Sequence, residues 1–289
     1  MALSPKTKDM DSKTQVKLEE LLKNTGDMAL KRRARSIIMN IDPQPGDRIL
    51  DVGCGDGYYL HLLSHLGIKN LTLTGTDYDK NGLASAKKNL KNPKIKLVWS
   101  DLMKRSPFRS NSFDKIVMSE VAEHLPDDVK GLTEVCRILK PGGTICLSVP
   151  NANYPFLWDP LNRILETFSG THVKAGFWAG LWNMHIRLYK PQQIEKVMKK
   201  AGFKVLEVKS LTWWCLPFNH YIINATAIAI HSGKMNPDLK AAVNKYETKI
   251  RRPFILNLAF WFANTLDTLN NYFPNPSSGV GVFVVATKN

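Results

Sequence analysis

The feature that most constrains this chain is a short apolar strand that runs directly into a glycine-rich loop. Ile49-Leu50-Asp51-Val52 is followed by glycines at positions 53, 55 and 57. Glycines let the backbone bend sharply into a following helix and approach a ligand closely. Asp77 ends the next apolar run, 20 residues after the last of these glycines. A carboxylate there can accept hydrogen bonds from both hydroxyls of a ribose, so the pattern predicts a nucleoside site.

Strand-like and helix-like segments alternate on both sides of this loop. Apolar runs predict strands at 48–52, 71–76, 95–99, 115–119, 144–149, 203–208 and 280–286. Helical patterns are found at 58–66, 82–90, 129–139 and 191–201. Strands separated by helices are typical of a parallel sheet that is covered on both faces. We therefore expect an α/β fold with a Rossmann-like, seven-stranded, mostly parallel sheet, with Lys140-Pro141-Gly142-Gly143 forming a turn before the fifth strand.

The alternation divides the chain into four parts. Residues 1–40 hold two amphipathic helices, 13–24 with Val16, Leu18, Leu21 and Leu22 on one face, and 27–40 with Asp27 as N-cap. Residues 41–209 form the core, in which the Trp-, Phe- and Gly-rich stretch 151–187 is expected to cover one end of the sheet. Residues 210–279 are a hydrophobic helical insertion, and residues 280–289 supply the final strand.

Two classes of ligand are compatible with the glycine loop. A dinucleotide site usually has the spacing GxGxxG and places pyrophosphate at the first helical turn. This chain instead has GxGxG preceded by Asp51, whose carboxylate would repel pyrophosphate and attract a cationic amine. The loop therefore predicts a ligand that carries both an adenosine and a positive charge.

The segment 49–57 resembles motif I of the class I S-adenosylmethionine-dependent methyltransferases. Five further segments match that family in order: Gly75-Thr76-Asp77, Ser100-Asp101-Leu102, the fourth strand with its Glu-His-Leu end at 113–125, Arg137 to Gly143, and His185 to Tyr189 followed by Ala201-Gly202-Phe203. The resemblance covers roughly residues 30–209 and the last strand. The EVAEHL segment at 120–125 is most similar to the type 11 group, which includes polyprenyl-hydroxybenzoate and demethylubiquinone O-methyltransferases.

The resemblance implies S-adenosylmethionine as cofactor and a set of residues that would contact it. These are Asp51, Gly53, Gly55, Gly57, Asp77, Tyr78, Asp101, Leu102, Ser119 and Glu120. The quinone enzymes also use an upstream arginine against the cofactor carboxylate. Arg33 or Arg35 could serve here, although a basic helix face explains both arginines equally well.

Methyl transfer to a hydroxyl needs a group that accepts a proton, and two histidines are candidates for this catalytic role. His124 follows the fourth strand, and His185 opens the segment that leads towards the sixth. Glu120 and Glu123 could orient a substrate or a histidine, or could shape the loop. We expect no metal site, because no metal-ligand spacing is visible in the sequence.

The acceptor is expected to be small and apolar, such as a quinone precursor, a lipid or a lipid-linked glycan. The long uncharged stretch after Ser210 and the aromatic covering region support this expectation. The alternative is an RNA or protein methyltransferase, which the net charge of +15 would suit. However, residues 119–122 lack the proline motifs that two nucleic-acid classes of the family use after the fourth strand.

The insertion could be an internal lid, or a lid that also contacts a membrane. Phe254 to Leu266 is apolar and too short to span a bilayer, and Asn257, Asn264 and Asn271 form a narrow polar stripe. The basic residues Lys249, Arg251 and Arg252 precede this segment, which is typical of a helix at an anionic membrane surface.

The cellular compartment of the protein is indicated by its cysteines and by its N-terminal stretch. The four cysteines lack paired spacing, which favours buried free thiols in a reducing compartment. The N-terminal stretch has no apolar core of a secretory signal. We therefore expect a cytoplasmic location, possible anionic membrane contact and less affinity for nucleic acid.

Overall fold

The computed structural model describes residues 10–218, 220–222, 224–225, 228, 242–247, 252–272 and 278–289. Its strands are β1 Arg48–Val52, β2 Thr72–Asp77, β3 Lys96–Trp99, β4 Phe113–Ser119, β5 Leu139–Pro150, β6 Phe203–Leu211 and β7 Gly281–Lys288. Its helices are α1 Ser12–Leu22, α2 Met28–Ile41, α3 Tyr58–His65, α4 Lys80–Leu90, α5 Asp128–Ile138, α6 Pro160–Ser169, α7 Pro191–Lys200 and α8 Phe254–Tyr272. Short 3-10 turns lie at Ala122–His124 and Phe177–Trp182.

The seven strands form one sheet in the order β3-β2-β1-β4-β5-β7-β6. The five strands from β3 to β5 pair in parallel, and β7 lies antiparallel between β5 and β6. The α/β fold with a mostly parallel seven-stranded sheet is therefore confirmed. Because β1 to β4 run in the same direction, the loops that follow them meet at one edge of the sheet.

The sheet is covered on both faces because successive residues of a strand point to opposite sides. Ile49, Val117 and Cys146 pack with α1, α2 and α3 on one face. The neighbours Leu50, Ile116 and Ile145 pack with α5 and α7 on the other face. These side chains are fully buried or nearly so, as the continuous apolar runs of the strands predicted.

The strand boundaries differ from the sequence prediction mainly at β5. The segment Lys140 to Gly143 was expected to be a turn, whereas β5 begins at Leu139 and includes it. A shift of register between Phe113 and Lys115 accommodates this segment beside β4, and Gly142 has a φ of 73°. The Lys-Pro-Gly-Gly sequence therefore kinks the strand near its start.

The two N-terminal helices lie as predicted, with one exception. The Asp27 side chain accepts hydrogen bonds from the backbone amides of Ala29 and Leu30, which confirms it as the N-cap of α2. On α1, Leu18, Leu21 and Leu22 are buried. Val16 is exposed, so its assignment to the buried face was wrong, because it lies two residues from Leu18 on a helix that turns every 3.6 residues.

The insertion between β6 and β7 contains a longer helix than the sequence suggested. The apolar segment 254–266 is part of α8, which has 19 residues and continues to Tyr272. Lys249 and Arg251, which the sequence analysis named, lie outside the described residues. Across the part of the chain that the structure describes, no helix combines the length and the apolarity needed to span a bilayer.

Candidate active site

The glycine loop after β1 adopts a backbone that glycine accommodates most easily. Gly53, Gly55 and Gly57 all have positive φ, at 69°, 49° and 87°. A Cβ on Gly53 would lie 2.2 Å from a methyl group of Val121, whereas a Cβ on Gly55 would meet no atom within 4 Å. The loop therefore packs tightly at Gly53 and leaves an open space above Gly55 that a ligand can fill.

A buried carboxylate lies directly below this loop. Asp51 is 1% exposed, and among the described residues neither of its oxygens has a hydrogen-bond partner. Burial raises the pKa of Asp51 well above its usual value, and the nearby carboxylate of Asp77 raises it further. Such a group is costly unless a donor or a cation pairs with it. The amine of an amino acid ligand provides both, so Asp51 fits the cationic part of S-adenosylmethionine.

Asp77 is the last residue of β2, and its carboxylate connects the strand to the glycine loop. Its Oδ2 accepts a hydrogen bond from the Gly55 amide at 2.7 Å, and its Oδ1 accepts one from the Asp79 amide at 2.8 Å. The carboxylate is therefore held at the open space above Gly55. Its remaining lone pairs are available to the hydroxyls of a ribose.

The other residues that the resemblance implied lie along the same edge. Tyr78 is exposed beside Trp99, with ring centroids 6.0 Å apart. Asp101 follows β3 and accepts a hydrogen bond from the Met103 amide at 2.9 Å, while Leu102 is buried. Together with the glycine loop, these residues line a crevice at the carboxyl ends of β1, β2 and β3. Their contacts with a cofactor stay predictions.

A polar network at the end of β4 distinguishes between the two candidate arginines. Arg33 lies 3.1 Å from Glu120 in an ion pair, and both side chains are largely buried. The hydroxyl oxygen of Ser119 lies 2.9 Å from the hydroxyl oxygens of both Tyr59 and Ser148. Arg35 instead pairs with Glu19 of α1 at 2.6 Å, away from the crevice. The structure therefore brings Arg33, and not Arg35, to the candidate site, and it adds Tyr59 and Ser148, which the sequence analysis did not single out.

The two candidate histidines meet at the same edge. The rings of His124 and His185 lie 4.8 Å apart between centroids. The Nε2 atom of each lies 3.8 Å from Oε1 of Glu123, which is fully buried. In the described part of the chain neither oxygen of Glu123 has a hydrogen-bond partner. The fold thus makes a cluster from Glu123, His124 and His185.

This cluster forms because the covering segment is attached to the loop after β4. The Ile186 amide donates to the Glu123 carbonyl, and the Arg187 guanidinium donates to the carbonyls of Leu125 and Pro126. His124 Nδ1 lies 3.0 Å from the Met184 carbonyl, which can only accept, so Nδ1 carries the proton. In neutral His124 the lone pair on Nε2 therefore faces Glu123.

Burial shifts the pKa of two groups in this cluster, Glu123 and His185. It raises the pKa of Glu123 well above its usual value, with a further contribution from Glu120. Burial also lowers the pKa of His185, which keeps the imidazole neutral at neutral pH. A neutral histidine can accept a proton, and a protonated Glu123 can donate a hydrogen bond to it.

The same three groups also have the composition of a metal site. Their ligand atoms all lie within 4.8 Å of one another. The sequence predicted no metal site, because His185 lies 61 residues after His124 along the chain, and the attachment of the covering segment brings it to Glu123 and His124. Two histidines and one carboxylate are a common set of ligands for divalent ions.

Comparison with known proteins shows the family of this chain. The Methyltransf_11 family model, described as a methyltransferase domain, matches residues 50–147. The chain is 32% identical over 185 residues to demethylmenaquinone methyltransferase of Staphylococcus aureus, covering 62% of this chain and 76% of that protein. The chain belongs to the class I S-adenosylmethionine-dependent methyltransferases of type 11. Its cofactor is accordingly S-adenosylmethionine.

The chain also resembles two further proteins, of which it covers only part. It is 28% identical over 211 residues to cycloartenol-C-24-methyltransferase of Arabidopsis thaliana, covering 68% of this chain and 58% of that protein. The chain thus spans little more than half the length of that relative. The fold is similar to that of phosphoethanolamine N-methyltransferase 2 of Haemonchus contortus, with a TM-score of 0.53 and 20% identity over 88% of this chain and 52% of the other.

Proposed function

We propose that this protein transfers a methyl group from S-adenosylmethionine to a small apolar acceptor, with an oxygen as the leading candidate for the acceptor atom. The observation that carries the proposal is the position of the His124–His185–Glu123 cluster at the same sheet edge as the glycine loop and Asp51. When bound, the cofactor supplies an electrophilic methyl group on a sulfonium. The chain's own residues must then orient the two reactants and accept a proton.

Each group at the crevice has a role in this proposal. Asp51 pairs with the cofactor amine, and Asp77 accepts hydrogen bonds from the ribose. Arg33, which pairs with Glu120, would bind the carboxylate of the cofactor. His185, whose pKa is lowered by burial, accepts the proton of the acceptor, and the carboxyl group of Glu123 lies 3.8 Å from its Nε2. His124 is a second candidate for the same proton.

An apolar acceptor is supported by the surroundings of the histidines. Met184 and Ile186, which flank His185, are exposed at 80% and 56%. Tyr154, Trp158 and Leu181 of the covering segment form a small hydrophobic core with Ala29, Leu188 and Val280. The names of the relatives, a demethylmenaquinone and a cycloartenol methyltransferase, are also those of enzymes with apolar acceptors. The alternative, an RNA or protein acceptor, finds no support in these relatives.

The test is to incubate the protein with methyl-labelled S-adenosylmethionine and separate lipid, RNA and protein fractions of a cell extract. We expect the label in the fraction that organic solvent extracts. The Gly55→Val variant provides the background, because its side chain would occupy the open space of the crevice and strain a positive φ. Label on RNA or protein, absent with Gly55→Val, would contradict the apolar acceptor.

A further inference from the structure

Helix α8 buries polar side chains against the protein and exposes several large apolar side chains to the solvent. A surface helix of a soluble protein normally has the opposite arrangement, with its apolar stripe on the core. Only two residues of α8 are buried, and both are polar: Asp267 and Asn270. This inversion separates α8 from the amphipathic helices α1 and α2.

Specific polar contacts fix the inner face. Asp267 forms an ion pair with Arg32 of α2, and Asn264 accepts a hydrogen bond from Lys31 at 2.7 Å. Asn270 accepts hydrogen bonds from the amides of Trp213 and Trp214 at 2.9 and 2.8 Å. Of the polar stripe noted in the sequence, Asn264 and Asn271 contact α2, whereas Asn257 is exposed. Because these contacts are specific, the helix cannot rotate its apolar side inward without leaving buried charges unpaired.

The outer face is uncharged and aromatic. Phe254 and Ile255 are exposed at 80% and 78%, and Trp261 at 62%. Leu258 and Phe262, which lie on the same side at helical spacing, are also exposed. The single charged residue of α8 is Asp267, which points inward. The helix is about 28 Å long at 1.5 Å per residue. A large exposed apolar face indicates a surface that binds a membrane or another molecule.

We propose that the outer face of α8 docks this protein onto an anionic lipid bilayer. Two observations favour this occupant. The chain has a net charge of +15, so a second copy would be repelled while an anionic surface would attract it. Trp, Phe and Leu on one side of an otherwise uncharged helix form the apolar side of a helix that lies in the membrane interface. No described helix can cross the bilayer, so α8 lies in its surface.

The test measures flotation of the full chain with vesicles at low and high salt. One set of vesicles contains phosphatidylcholine alone, and the other contains phosphatidylcholine with phosphatidylglycerol. We expect binding to the second set, weaker binding to the first, and only partial release by salt, because the apolar contribution is not screened. The Trp261→Ser, Phe262→Ser double variant should bind the anionic vesicles at least about tenfold more weakly.

Matched controls separate docking from general surface effects. The Val16→Ser, Leu206→Ser variant also removes two exposed apolar side chains, from α1 and β6, and should bind as the wild type does. Thermal unfolding of all variants checks that they fold. Absence of flotation at low salt would overturn the proposal. Equal binding of the two double variants to anionic vesicles would also overturn it. A third contrary result would be a dimer in sedimentation that dissociates in the Trp261→Ser, Phe262→Ser variant while this variant still binds vesicles.

Discussion

Asp51 and Asp77 are neighbouring carboxylates whose different hydrogen bonding leads to opposite expectations for stability. Asp51 is buried with no partner in the described structure, whereas both oxygens of Asp77 accept backbone hydrogen bonds. A raised pKa in the folded state means that the folded protein binds the proton more tightly than the unfolded chain does. The contribution of Asp51 to stability is therefore lost as the pH rises above 3.8.

We expect Asp51→Asn to stabilise the cofactor-free protein at neutral pH and to weaken cofactor binding. The gain should be about 1–3 kcal/mol, the usual cost of a buried polar group without a partner, and should shrink towards pH 4. Asp77→Asn should destabilise the fold, because the Gly55 and Asp79 amides would lose a charged acceptor. Denaturant unfolding and calorimetric titration measure both quantities. A loss of stability in Asp51→Asn at neutral pH would contradict the assignment.

His185 leads to a prediction about the pH dependence of turnover. Because burial lowers its pKa below 6.5, the imidazole stays able to accept a proton down to that pH. We expect the acid limb of the turnover profile to lie below pH 6.5 and to disappear in His185→Ala, with turnover reduced about 10²-fold or more. Cofactor affinity should be nearly unchanged. His65→Ala, at the exposed end of α3, is the control. An unchanged profile in His185→Ala would exclude this histidine as the base.

At the scale of elements, α2 presents two arginines to different parts of the molecule. Arg33 reaches Glu120 at the crevice, and Arg35 reaches Glu19 on α1. We expect Arg33→Gln to weaken cofactor binding by about tenfold, as loss of a charge-assisted hydrogen bond would do. Arg35→Gln should leave the affinity within about twofold of the wild type. Calorimetric titration measures both, and equal affinities in the two variants would remove Arg33 from the site.

The α2–α8 contact leads to a prediction about stability. Arg32→Ala leaves Asp267 buried without its charge partner, so the variant should lose about 3 kcal/mol of unfolding free energy. Lys199→Ala removes an exposed ion pair with Glu195 on α7 and should cost less than about 1 kcal/mol. Denaturant unfolding compares the two. A cost for Arg32→Ala as small as that for Lys199→Ala would mean that the contact does not hold α8 in place.

The elements also show what the sequence could and could not predict. Apolar runs predicted the strands and the glycine spacing predicted the crevice, because both signals are local. The cluster of Glu123, His124 and His185 depends on hydrogen bonds between segments 60 residues apart, and no local pattern contains that information. The stripe Asn257, Asn264 and Asn271 was visible in the sequence, but its partners Lys31 and Arg32 on α2 were not.

At the scale of the whole molecule, β7 joins β5 to β6 in the sheet. It pairs with β5 over Thr144 to Pro150 and with β6 over Phe203 to Leu211. Phe283 and Val284 in β7 are fully buried. The sequence predicted the strand, but its position between β5 and β6 follows only from how the sheet assembles.

Deleting residues 279–289 should therefore remove cooperative folding. Two strands would lose their pairing, and both faces of the core would lose buried apolar side chains. Phe283→Ala is a milder variant that should fold with a loss of about 3–5 kcal/mol. Near-ultraviolet circular dichroism and thermal unfolding measure the outcome. A truncated chain that melts cooperatively near the wild-type temperature would show that β7 is dispensable.

Cys54, between two glycines of the loop after β1, gives the molecule a built-in reporter of local opening. The thiol is buried, and burial raises its pKa, so it cannot react with an alkylating reagent while the loop is closed. The rate at which iodoacetamide labels Cys54 therefore increases with the fraction of time that the loop is open. Mass spectrometry of the labelled peptide can follow the opening of the loop without an added probe. A ligand bound above Gly55 would slow the labelling of Cys54. The labelling rate of this one thiol can therefore rank ligands for the crevice before any acceptor is known.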